Sequence, residues 1–74
     1  MTPEEALQRI RMEFLRASSI HPVLHSKHEA LAVIEEEFLE LREDIFEKYH
    51  ADTDIREEAT QTAAMCMRLM VDLL

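Results

Sequence analysis

The sequence predicts an all-α protein of three helices per chain, a helical bundle completed by oligomerisation. Three observations point there. The 74 residues include no glycine and only two prolines, while Ala, Leu, Glu and Met, all strong helix formers, are frequent. Apolar residues recur at spacings of three and four. A chain of this length also buries too small a fraction of its surface to be stable without a metal, disulfides or a partner, and residues 1–74 make a single helical domain.

The first helix is placed at about residues 3–16. Thr2 and Glu5 form a capping box with Pro3 at the first helical position, followed by Ala6, Leu7, Ile10, Phe14 and Leu15 at helical spacing. Ser18, Ser19 and the His21-Pro22 pair break the pattern, since a residue before proline is pushed out of the helical region. The second helix is placed at about 27–49, ending near Tyr49. Ser26 and Glu29 make its capping box, and Leu31, Ile34, Phe38, Leu41 and Ile45 form its main apolar stripe. The third helix, about 55–74, has Asp52, Thr53 and Asp54 as alternative N-caps, Asp54 with Glu57 three residues on.

These helices carry more apolar surface than they can hide from water among themselves. At about 100° per residue, Ala32, Leu39 and Phe46 fall nearly opposite the Leu31 to Ile45 stripe. From Ala63 onward the third helix is apolar nearly all round, interrupted only by Arg68 and Asp72, an i,i+4 pair. Such a helix belongs inside something, so self-association is expected. A homodimer and a homotetramer both satisfy the pattern.

Charge and cysteine content exclude several function classes. The formal charge of −8 repels phosphate backbones and anionic lipid unless a cation mediates, which argues against direct nucleic-acid binding. No apolar run reaches the length of a membrane span, and acidic residues stand near the N-terminus where a secretory signal would be basic. The single cysteine, Cys66, cannot form an internal bridge, so a reducing, cytoplasmic setting is expected. Cys66 lies in an apolar run without a basic neighbour to activate it and reads as a buried, inert thiol.

The chemistry-bearing constellation is acidic. The second helix contains Glu35, Glu36, Glu37, Glu40, Glu43 and Asp44, of which Glu37, Glu40 and Asp44 share one strip bordering the apolar stripe. Carboxylates crowded beside a core are tolerated when protonated, paired with basic groups or bridged by a cation, and hard oxygen ligands favour Mg²⁺ or Mn²⁺. Glu58 and Gln61, away from the Ile55, Ala59, Cys66 and Met70 side, can complete a site opposite Glu37 and Glu40. The competing reading is a solvated acidic face.

Glu36-Glu37-Phe38-Leu39-Glu40 has the form Glu-Glu-x-x-Glu, followed after a short connection by Glu58-Ala59-Thr60-Gln61. This resembles the MazG-like family of all-α nucleoside triphosphate pyrophosphohydrolases, whose pattern is Glu-Glu-x-x-Glu on one helix and Glu-x-x-Asp on the next. His25 to Leu74, about two thirds of the chain, is similar to the short MazG-like proteins of bacteria and phage. The resemblance implies a Mg²⁺-dependent hydrolase, with Mn²⁺ as an alternative, releasing monophosphate and pyrophosphate from a nucleoside triphosphate. It implies Glu37, Glu40 and Glu58 as metal ligands, Glu36 as a ligand or water-activating base, and dimers or tetramers with cores built across subunits. Gln61 stands where the family has aspartate, and an amide oxygen can ligate Mg²⁺ but brings no charge. A degenerate member of the family, serving as a non-catalytic oligomeric interaction module, is the alternative. A plain helical scaffold is the third reading.

Other candidates are weaker. His21, His25 and His28 have spacings open to a transition metal, but Pro22 bends the segment and no cysteine or fourth histidine is near. Lys27 and His28 stand where a helix N-terminus can meet phosphate. Arg56 reads as a surface partner for Glu57 or Asp52, with phosphate contact as a minor alternative.

Overall fold

The computed structural model describes residues 1–47 and 51–74, which form α1 (Pro3–Ile20), α2 (Lys27–Phe46) and α3 (Asp52–Leu73). No strand occurs among the described residues, and the protein is all-α. No helix among them is long and apolar enough to cross a membrane.

The expected capping box opens α1: Thr2 Oγ1 accepts from the Glu5 amide at 3.2 Å, and Glu5 Oε1 accepts from the Thr2 amide at 3.1 Å. The helix then runs four residues beyond Arg16, through the two serines expected to break it. Ser19 Oγ donates back to the Arg16 carbonyl at 2.7 Å, so its hydroxyl is satisfied within the helix. Termination waits for His21, extended at φ −119° and ψ 145° before Pro22.

The capping box of α2 is half formed: Ser26 Oγ accepts from the Glu29 amide at 3.0 Å, while the Glu29 carboxylate lies 3.4 Å from His25 Nδ1. The last helical residue is Phe46, and the expected end near Tyr49 lies outside the described residues. Helix α3 begins at Asp52, earlier than expected, with Ala51 as N-cap in place of the three anticipated residues. Asp54 acts from inside the helix, accepting from the Ala51 amide at 3.3 Å.

Helix α3 lies between the other two, packing on both, while α1 and α2 make no close backbone approach to each other. Ala17, Ala64 and Met65 form the buried centre, with Phe14, Val33 and Ile34 packed against it. The small alanines let the helices approach closely, and the inward faces are rotated from those the apolar pattern suggests. On α2 the inward positions are Ala30, Val33, Ile34, Glu37, Leu41 and Asp44, whereas Leu31, Phe38 and Ile45 of the expected stripe are half exposed or more. On α3 the inward stripe is Glu58, Gln61, Met65, Arg68 and Asp72, and Ala59, Cys66 and Met70 face outward. Cys66 is exposed, contrary to expectation, because its helix turns its polar residues inward.

One polar contact explains part of this rotation. Arg68 is only 3% exposed; its guanidinium donates to the Pro22 carbonyl at 2.6 Å and lies 3.8 Å from Asp72. Asp72 in turn accepts from the Leu24 amide at 3.0 Å, holding the α1–α2 connection onto α3 with Leu24 buried beneath it. The sequence showed this pair; its burial and its hold on a loop more than forty positions away in the chain carry no local signal.

The remaining outward surface is strongly apolar. Leu39 is 53% and Phe46 76% exposed, as their position opposite the main stripe predicts. Arg42 sits 5.2 Å from the Phe46 ring centroid, a cation–π contact that covers one face of the ring.

Candidate functional site

Glu37 and Glu40, one turn apart on α2, meet Glu58 on α3 at the interface of the two helices. Each offers an oxygen such that the three atoms lie within 4.8 Å of one another, and among the described residues no other group of His, Cys, Asp or Glu side chains converges in this way. His21, His25 and His28 therefore do not assemble a metal site. Glu37 and Glu58 are partly buried and Glu40 is exposed, so the site is a shallow seam opening to solvent.

Crowding is visible in the electrostatics. Burial, then hydrogen bonding and repulsion from Glu40, with Glu37 and Asp44 adding to it, pushes the Glu58 carboxyl from 4.5 up to about 7. Burial also raises Glu37, reinforced by repulsion from Glu40 and Glu36. The cluster therefore retains a proton near neutrality and is short of positive charge.

Gln61 is where its spacing from Glu58 placed it. With the amide nitrogen turned toward the carboxylates, it donates to Glu37 Oε2 at 3.0 Å and to Glu58 Oε2 at 3.2 Å; the opposite orientation would set its oxygen against theirs. The glutamine is thus a donor to the proposed ligands, with its oxygen directed away from them. Glu36 stands outside the three-carboxylate cluster, on the wall of an adjoining cavity of about 450 Å³ that also includes Glu37, Gln61 and Arg68.

The chain matches no family model, no curated protein and no solved structure. The chemistry of the site therefore rests on its own donors. Three carboxylate oxygens from two helices suit a hard divalent cation, and a cation there would relieve the repulsion that raises Glu58.

A second cavity, of about 650 Å³, lies between α1 and the first half of α3 and shares Glu13, Arg16 and Gln61 with the first. Arg56, expected to pair with Glu57 or Asp52, forms no ion pair with either and lines this groove instead. The groove was not visible in the sequence, because its walls come from segments about forty residues apart.

Proposed function

We propose that this protein is a divalent-cation-dependent nucleoside triphosphate pyrophosphohydrolase of the MazG-like type, acting as an oligomer. The convergence of Glu37, Glu40 and Glu58 from two helices carries the reading. It is the arrangement that the Glu-Glu-x-x-Glu and Glu-x-x-Gln segments imply, and burial and mutual repulsion raise the Glu37 and Glu58 carboxyls, a repulsion that a cation would relieve. Glu37, Glu40 and Glu58 would hold Mg²⁺ or Mn²⁺, which when bound supplies positive charge to the phosphate oxygens and orients the chain for attack by water. Glu36, on the adjoining wall, accepts the proton of the attacking water as the bond between the α- and β-phosphates breaks and pyrophosphate leaves.

Self-association belongs to the same proposal. The chain exposes 5539 Å², whereas a compact monomer of 8.7 kDa exposes about 4,700 Å². The excess is about 800 Å², the area each partner loses in a standard interface. The radius of gyration, 12.6 Å against about 11 Å for a compact chain of this length, points the same way. Leu31, Phe38, Leu39 and Val71, all at least half exposed, are candidates to lie beneath a second copy.

Pyrophosphate release from a panel of nucleoside triphosphates, with and without Mg²⁺, tests the activity. Release that requires both Mg²⁺ and Glu40 supports it; no release from any triphosphate refutes it. The alternative, a non-catalytic helical interaction module, is favoured by one observation: Gln61 donates into the cluster, partly filling the role of a cation. In that case the stability and assembly of the parent are themselves insensitive to Mg²⁺, and Glu40→Gln changes neither response.

A further inference from the structure

The groove between α1 and α3 collects positive charge in an acidic protein. Arg9, Arg16 and Arg56 line it, three of the eight basic residues in a chain of formal charge −8. Against them stand Glu13 and Glu57, so the lining is net positive. Arg16 is held by Glu13, with an ion pair at 2.7 Å and Nε donating to both carboxylate oxygens at 2.9 Å. Neither Arg9 nor Arg56 has an ion-pair partner among the described residues. Both line the same groove, and both add slightly to the lowering of the Glu5 carboxyl, which comes mainly from its hydrogen bonds with Thr2.

The groove also reaches the carboxylate cluster. Gln61 lines it and donates to Glu37 and Glu58. Arg56 stands five residues before Gln61 on α3, about 7.5 Å of helix rise, and both line the groove. A groove lined by Arg9 and Arg56 that shares Gln61 with the carboxylate cluster suits a linear polyanion that carries a divalent cation.

We propose that this groove binds the polyphosphate chain of a nucleoside triphosphate, with Arg9 and Arg56 holding its outer phosphates while the inner part reaches Glu37, Glu40 and Glu58. This rests on the pyrophosphohydrolase reading for the identity of the ligand, but the arginine contacts can be measured separately. Arg9 and Arg56 are binding residues here, and Met12 lines the groove beside them.

Calorimetric titration with inorganic tripolyphosphate and with a panel of nucleoside triphosphates, each in Mg²⁺ and in EDTA, tests this. The parent is compared with Arg9→Gln, Arg56→Gln, the double variant and Arg11→Gln, which removes the same charge outside the groove lining. The double variant should lose at least tenfold in affinity for tripolyphosphate in both buffers, and Arg11→Gln should lose little. Mn²⁺ affinity, read by electron paramagnetic resonance, should be unchanged in all. Each single variant gives its own reading if the double variant does not fold. Failure of the parent to bind tripolyphosphate, or equal losses in Arg11→Gln and the groove variants, overturns the proposal. Absence of Mn²⁺ binding by the parent defeats the pyrophosphohydrolase reading alone, and the titration in EDTA still decides the groove. Arginine-dependent binding of tripolyphosphate without binding of any nucleotide overturns the nucleotide as its source.

Discussion

Changing Glu58 to glutamine should stabilise the metal-free protein at alkaline pH and abolish its stabilisation by Mg²⁺. The Glu58 carboxyl is raised in the fold from 4.5 to about 7, so between those values the native chain binds more protons than the unfolded chain. Its contribution to stability is fully present below pH 4.5 and is lost as pH rises through about 7. At full strength that difference corresponds to ~3 kcal/mol. Glu58 is only partly buried, and solvent screening reduces the expected effect to ~1–2 kcal/mol. For a domain of this size ~1 kcal/mol moves the melting temperature by about 4–8 °C. Thermal melts in EDTA from pH 5 to pH 8.5 should therefore fall by several degrees for the parent, and less steeply for Glu58→Gln. At pH 8.5 the variant should melt higher than the parent. Mg²⁺ at one hundred times its dissociation constant should add ~2.7 kcal/mol to the parent and much less to the variant. Parallel pH profiles with equal Mg²⁺ responses would refute the reasoning, since Glu58 would then share neither charge nor cation with its neighbours.

Leu39→Glu and Phe46→Glu should shift the protein toward monomer or unfolded chain in light scattering, because an unpaired charge buried under a second copy costs several kcal/mol; a parent that is a stable monomer at micromolar concentration would exclude this. Arg68→Ala should lower stability by ~3 kcal/mol or more by leaving Asp72 without its cation and the Pro22 carbonyl without its donor, read as a melting temperature that Mg²⁺ restores only in part. Glu37→Ala should remove the Mg²⁺-dependent rise in melting temperature while preserving helical circular dichroism.

The periodic pattern carried the three helices and the Thr2 and Ser26 N-caps, because these depend on residues three or four apart. Boundaries were read less well where two local signals competed. Ser18 and Ser19 look like breakers, yet Ser19 satisfies its hydroxyl on Arg16 and only Pro22 ends α1. Asp54 looked like a cap and instead serves a cap one turn earlier. The helix faces were harder still. An apolar stripe marks what must leave water but does not say whether its own chain or a partner will cover it. Here the chain turns Glu37, Glu58, Gln61 and Arg68 inward and leaves Leu31, Phe38 and Met70 outside. The carboxylate cluster was legible because its members lie on two recognisable helical segments. The arginine groove was not, since Arg9 and Arg56 are brought together only by packing.

Gln61 decides how this inward polar stripe is balanced. Its amide donates to one oxygen of Glu37 and one of Glu58, so without metal it offsets part of the repulsion that raises both carboxyls. A cation entering the cluster competes for those oxygens, and the glutamine must turn or withdraw before its own oxygen can ligate. Gln61→Asp removes two donations and adds a fourth carboxyl at the same position. Metal-free stability should fall, by ~1–3 kcal/mol for the lost hydrogen bonds to charged groups alone, and Mg²⁺ affinity should rise because an anionic oxygen replaces a donor that competed with it. Loss without metal together with gain in its presence is a pair of effects that neither a solvent-facing glutamine nor one packed in an apolar core produces. Melting temperatures and pyrophosphate release, each with and without Mg²⁺, read both halves. Release by the parent that is merely faster in Gln61→Asp assigns the glutamine to restraint of an active site; release by the variant alone assigns it to the loss of one. If neither stability nor metal response changes, the amide does not bridge Glu37 and Glu58, and α3 does not face α2 through Gln61.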